Sequence, residues 1–355
     1  MKHFCLLFFL FITIHSFSQK SNDSSVFKEI YSSIEKENYF KAKDIYLLNK
    51  NDLSKFHQAF IEANLDYGFN QAKLSNCKIE ILKRNSDFKR LADSVQIRLY
   101  NMQMDNYVRL YQYSDAENVA QKIKNDYPVF WAKDSIKALA LNDKLSMFHA
   151  LRDTPKQEVI IKSDDSIQLI KDVVGLKDLK VTHADDSEHF VFDTGAGFSL
   201  VSETTAKKFK MHILDGLVSF GTAAGKSVKV HIAACDDLNI KNIKVKNAVF
   251  FVVDDSAYSF PQLNYQIHGI IGFPVIEALK EIQITKDDKL IIPKNETVWN
   301  NESNAALSNN KLYISINDTA YGFDTGASST WLNKRYYDAN KKTIDYARKQ
   351  KIPVI

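Results

Sequence analysis

Apolar residues recur at steps of three and four through the first half of the chain, and alternate with polar ones through the second. Ile30 and Ile34 keep the helical step. So do Ala42, Ile45 and Tyr46, then Leu65, Phe69 and Ala72, then Tyr113, Ala116, Ala120 and Ile123. From Ser166 onward the step changes. Val228-Lys229-Val230-His231-Ile232 alternates apolar with polar, as a half-buried strand does. Ile240, Val245, Val249 to Val253, Ile282 to Ile284 and Leu290 to Ile292 are further short runs of strand-forming residues.

The chain breakers place the same change. Of 11 glycines only Gly68 precedes position 175, and Pro128 is the only proline between residues 20 and 150. A stretch so poor in both predicts helix, whereas Gly-rich turns supply the positive φ that a β-rich region needs. The boundary falls near Thr154-Pro155. The predicted fold class is α+β and multidomain. An all-α, repeat-like helical domain covers 20–153, an all-β, barrel-like domain covers 154–298, and the start of a second β-unit covers 299–355.

Three places in the helical half carry an aromatic residue followed three positions later by Ala: Tyr39 to Ala42, Phe69 to Ala72 and Tyr113 to Ala116. The last is followed by Pro128. This resembles tetratricopeptide-type helix pairs, in which Ala permits close contact and Pro closes the unit. An unclassified helical bundle is the other reading. Either supplies a surface for a protein partner rather than chemistry.

Residues 1–19 read as a cleavable leader: Lys2 and His3, the apolar run Phe4 to Ile14, then Ser16-Phe17-Ser18. The expected location is secreted or periplasmic. No later run is apolar for long enough to span a bilayer. Lys plus Arg is 47 against 43 Asp plus Glu, a net charge of +4 too small and too dispersed to indicate nucleic acid. Beyond the leader, Cys77 and Cys235 form no disulfide framework and read as small core residues. The nine His show no His-Glu-x-x-His pair and no phosphate-binding Gly loop occurs, so neither metal nor cofactor is expected.

The chemistry lies in a repeated unit. Phe190-Val191-Phe192-Asp193-Thr194-Gly195-Ala196 puts a carboxylate just after an apolar strand, and Gly322-Phe323-Asp324-Thr325-Gly326-Ala327 does so again 131 positions later. A lone Asp-Thr-Gly is an ordinary turn; its repetition after a strand-like segment (Leu179 to Val181, Leu312 to Ile316) is not. Between the copies lie a turn, Gly221-Thr222-Ala223-Ala224-Gly225, and then Ile270-Ile271-Gly272.

In this order the elements resemble the aspartic proteases, retropepsin-like and pepsin-like. The resemblance implies a peptidase acting on peptides or proteins through an Asp dyad, Asp193 and Asp324. Two carboxylates in close contact cannot both ionise easily, so one serves as base and the other as acid. It further implies that Thr194 and Thr325 bond across the two loops and that Gly195 and Gly326 admit close approach. Ile270, Ile271 and Gly272 would support the loop. Phe220, Gly221, Thr222, Ala223 and Gly225 would form a flap over the substrate, an ordinary hairpin tip being the alternative.

Two departures matter. The second copy continues Ala327-Ser328-Ser329, but the first continues Ala196-Gly197-Phe198 and lacks a hydroxyl there; Ser199 is the next one available. After Asp324 only 31 residues follow, against about a hundred from Asp193 to the end of the first lobe. The expectation is a second lobe cut short. The alternative is a homodimer that pairs two copies of Asp193, with residues 300–355 as an appendage. A non-catalytic peptide-binding protein on the same fold is the competing function.

Overall fold

The structure, a computed structural model, describes residues 23–346 apart from 133, 222–226, 301–302, 309–310, 318 and 333. The leader expected over residues 1–19 lies outside them. No described helix is long and apolar enough to cross a membrane.

Helix α1 covers residues 23–35. It is followed by α2 (Tyr39–Asn49), α3 (Lys55–Gly68), α4 (Ala72–Arg84), α5 (Asp93–Arg109), α6 (Tyr113–Asp126), α7 (Pro128–Ala132) and α8 (Ser135–Leu151). Three of the connections share one geometry. Glu37, Asn70 and Tyr111 adopt φ of 58°, 59° and 58°, and the next residue's N–H donates to the carbonyl five positions back. This left-handed cap satisfies the last carbonyls of one helix and reverses the chain at once.

The shared turn also corrects the register of the aromatic-to-Ala pattern. The equivalent helix starts are Tyr39, Ala72 and Tyr113, and three residues on stand Ala42, Ser75 and Ala116, all fully buried. The Phe69-to-Ala72 copy is thus one turn out of step. Ser75 fits among alanines because its hydroxyl donates to Ala63 O at 2.9 Å. Cys77 corrects another expectation: it is exposed, because α4 buries Ala72, Ser75, Asn76, Ile79 and Leu82, whereas Cys235 is in the core.

The β-region begins with β1 (Glu158–Ile161), β2 (Asp165–Gln168), β3 (Ile170–Lys171), β4 (Lys177–His183), β5 (Asp186–Phe192) and β6 (Ser199–Ser202). Then come the short α9 (Glu203–Lys208) and the long strands β7 (His212–Gly221), β8 (Ser227–Ile240) and β9 (Ile243–Val253). Next are β10 (Ser259–Phe260), β11 (Tyr265–Gln266), β12 (Gly269–Ile271), α10 (Phe273–Ala278), β13 (Gln283–Ile284) and β14 (Lys289–Ile292). Strand β8 pairs with β9 and also with β4, so the path β9-β6-β12-β5-β4-β8 closes on itself. Closure leaves no edge on those strands and encloses a core of Phe190, Phe192, Phe209, Phe250 and Ile271.

A separate antiparallel sheet follows: β15 (Ala305–Ser308), β16 (Lys311–Ile316) and β17 (Thr319–Gly322). Helix α11 (Lys334–Tyr346) follows the second motif.

The helical half packs against the large β-region and against the separate sheet that leads into the second motif. Ala306 of β15 packs with Ile30, Ile34 and Tyr39, and Ser308 donates to Glu37 at 2.8 Å. Asn70 donates to Glu277 of α10 at 2.6 Å, and Gln157 of the β-region donates to the Tyr111 hydroxyl at 2.9 Å. Helix α8 lies so close to β7 that a Cβ on Gly216 would sit 2.7 Å from that of Ala150, and Lys229 of β8 reaches Asp143 at 2.7 Å.

Candidate active site

The first loop is built by β5 and β12. Phe190, Val191 and Phe192 are buried, and Asp193 follows where the strand ends. Strand β12 runs parallel beside it, with Ile270 opposite Val191 and Ile271 opposite Phe192. The Asp193 N–H donates to Ile271 O at 3.0 Å and that of Phe273 to Ala196 O at 2.8 Å. At Gly272 a Cβ would lie 2.4 Å from Phe198 O, so the support requires glycine. Ser199 does not take the place of the missing hydroxyl. It is fully buried, and its Oγ accepts from the Gly272 N–H at 3.1 Å, which ties the strut to the loop.

The second loop enters from β17, and one chain brings the two motifs together. Thr194 N–H donates to Thr325 Oγ1 at 3.0 Å, and Thr325 N–H to Thr194 Oγ1 at 3.0 Å. The hydroxyls donate onward, Thr194 to Phe323 O at 2.9 Å and Thr325 to Phe192 O at 2.6 Å. Each threonine thus binds the other's loop twice, in a place where Thr194 is fully buried. Satisfied polar groups at that depth are rigid because no water competes for them.

The glycines set the approach. A Cβ on Gly195 would fall 2.5 Å from Asp324 Cγ, and one on Gly326 would fall 2.2 Å from Asp193 Cγ. Each carboxyl therefore lies over the other loop's glycine. Asp193 Oδ1 accepts from the N–H groups of Gly195 at 2.8 Å and Ala196 at 3.1 Å; Asp324 Oδ1 accepts from Gly326 at 2.9 Å. Asp193 is half-buried and Asp324 exposed.

Burial, and then the neighbouring Asp324 carboxylate, pushes the Asp193 carboxyl up from 3.8 to about 6. Between those values the folded chain keeps a proton that the unfolded chain has released, so the contribution to stability is full below the window and lost above it. Asp193→Asn removes the buried charge. We expect it to raise stability by about 2–3 kcal/mol at pH 7.5 and to leave it unchanged at pH 3.5. Urea midpoints that coincide for the two chains at both pH values would contradict this.

Of the residues expected in the flap, Phe220 and Gly221 are described. Phe220 is part-buried and leans on Phe251, with ring centroids 6.1 Å apart, while Phe198 stacks on the same ring at 4.7 Å. It therefore joins the hairpin to the first loop. Gly221 is exposed with open space around it. Thr222, Ala223 and Gly225 lie outside the described residues.

Two residues were not legible from the motifs. Tyr258 lies close enough to Asp193 for that carboxylate, after burial, to help push its phenol up to about 12. Asp178 pairs with Val191 across β4 and β5. Neither sits in a pattern that marks it in the sequence. Among the described residues no group of three or more His, Cys, Asp or Glu is placed to hold a metal ion.

Residues 179–275, just over a quarter of the chain, match the family described as "Aspartyl protease". Among solved structures the chain is similar to a retropepsin-like aspartic protease from Rickettsia conorii, 18% identical, over 39% of this chain and 92% of that one, with a TM-score of 0.25. No curated protein matches the sequence at a significant level.

Proposed function

We propose that the chain is an aspartic-type endopeptidase that hydrolyses peptide bonds with Asp193 and Asp324 acting on one water molecule. The observation that carries this reading is the reciprocal Thr194–Thr325 bonding, with each loop's glycine beneath the other loop's carboxyl. A turn with a structural role alone has no need of such exact approach from a second loop.

The two carboxyls share one proton, and burial favours its resting on Asp193. The Asp324 carboxylate takes a proton from water as the water oxygen bonds to the scissile carbonyl carbon. The proton on Asp193 passes to the amide nitrogen as the C–N bond breaks. Water is thereby divided between the new carboxyl and the new amine, and no covalent intermediate on the protein is needed. As pH rises through about 6, Asp193 loses the proton that makes it an acid, and activity falls.

The expected site of action is outside the cytoplasm, on the strength of the apolar run Phe4 to Ile14. The working domain limits are 20–153, 154–298 and 299–355. Digestion of an unfolded protein substrate from pH 3 to 7, read by mass spectrometry of the products, tests the activity. Cleavage strongest below about pH 6 supports the reading. A folded chain that cuts nothing across the range would leave a peptide-binding role in its place.

A further inference from the structure

Beside the first loop lies a cavity of about 310 Å³, lined by Asp178, Val191, Tyr265, Ile267 and His268 among others. Its position follows from strand pairing. Val191 lies two residues before Asp193, and Asp178 stands opposite Val191 in the antiparallel pair. Asp178 thus stands beside the residue two positions, or about 7 Å of extended chain, ahead of Asp193. The outer wall is tied to the same place: Ile267 N–H donates to the carbonyl of Tyr258, the tyrosine that senses Asp193.

The chemistry of this cavity is incomplete. Asp178 Oδ1 is buried and has no hydrogen-bond partner. Nearby Asp172 accepts from the N–H groups of Val174 and Leu176 and from the Tyr265 hydroxyl, so it is well hydrogen-bonded. Among the described residues, however, neither carboxylate pairs with Lys or Arg. Glu188, also in the wall, is already neutralised by Lys208 at 2.6 Å, with His268 at 3.9 Å. Burial and Asp172 together push the Asp178 carboxyl up to about 7. Asp178 lines the cavity with one oxygen buried and unpartnered behind the wall and with Asp172 close by, so a cation in the cavity would offset an unmatched acidic charge.

Resting on the hydrolytic reading above, we propose that this cavity is the subsite for a lysine or arginine side chain of the substrate peptide. The cationic head lies against Asp178 with Asp172 behind it, and the stem passes over Val191 and Ile267. Since a peptide in the cleft advances about 3.3 Å per residue, the basic residue stands within about three residues of the bond that is cut. The position selects by charge, and long basic side chains suit it because their apolar stems pack while the head is neutralised.

The test is peptide binding, read by fluorescence anisotropy at pH 7 with labelled octapeptides that differ only by lysine against norleucine, the exchange being moved along the peptide. We expect lysine at one position to bind about tenfold more tightly, the size of one charge-assisted hydrogen bond. In Asp178→Asn, checked for folding by circular dichroism, that ratio should fall to within about twofold. Equal binding at every position, or a tenfold ratio that survives Asp178→Asn, overturns the proposal. Incubating the same peptides for hydrolysis separates the two claims. Lysine-selective binding without cleavage sinks the hydrolytic reading and keeps the subsite; cleavage with no lysine preference does the opposite.

Discussion

Asp193→Asn is expected to lower peptide hydrolysis by at least about a thousandfold in kcat/KM, and Asp324→Asn to do the same. Asparagine keeps the shape of the carboxyl and can still accept the loop N–H bonds that Asp193 receives from Gly195 and Ala196. What it cannot do is hold or take a proton near neutrality. With one carboxyl gone, the remaining one can serve as base or as acid but not as both in one turnover, and each role is worth about 10²–10⁴ in rate. The variants should fold as well as the unmutated chain, so the loss is chemical. Steady-state kinetics on a peptide found by the digestion above gives the number. An Asp324→Asn chain within tenfold of full activity would remove the second motif from the site.

Gly326→Ala is the second large effect, and it tests geometry alone. Its added methyl would lie 2.2 Å from Asp193 Cγ and 2.3 and 2.4 Å from the two carboxyl oxygens. Asp193 has no freedom to withdraw, because its Oδ1 is held by two N–H groups and its own backbone by Ile271. The loops must part instead, which stretches the paired Thr194–Thr325 bonds. A shift of about 1 Å between reacting groups costs about a hundredfold in rate, so we expect at least that loss in kcat. The broken threonine bonds should also lower stability by about 2–4 kcal/mol, since they leave buried donors and acceptors unmatched. An alanine variant with unchanged kcat would mean that the loops do not meet as closely as described.

How much of this the sequence carries depends on the scale. The switch from helical to alternating spacing is local, and glycine usage marks the same point, so both halves are readable. The repeated Asp-Thr-Gly is readable too, because the site needs the same three residue types twice. Ser199 is the instructive failure. A hydroxyl six positions from Asp193 suggests help to the carboxylate, but the fold turns it inward onto Gly272. Asp178 and Tyr258 escape notice for a related reason: strand pairing and a loop bring them to the site from 15 positions before and 65 after Asp193. The most consequential gap is the helical half. Its spacing indicates helices, but nothing in it announces that Ala306 and Ser308 of the second sheet will seat on α1 and α2 and their connection. That seating is tertiary, and it is how the second loop is carried to the first within one chain.

The central claim is that both motifs of one molecule form one site. It is tested most directly by mixing folded Asp193→Asn and Asp324→Asn chains in equal amounts and measuring hydrolysis beside the unmutated chain. If the site lies within one chain, the mixture stays as inactive as either variant while the unmutated chain cuts. Recovery of a substantial part of that activity on mixing would contradict the account, because an intact pair of aspartates would then have to form between two molecules.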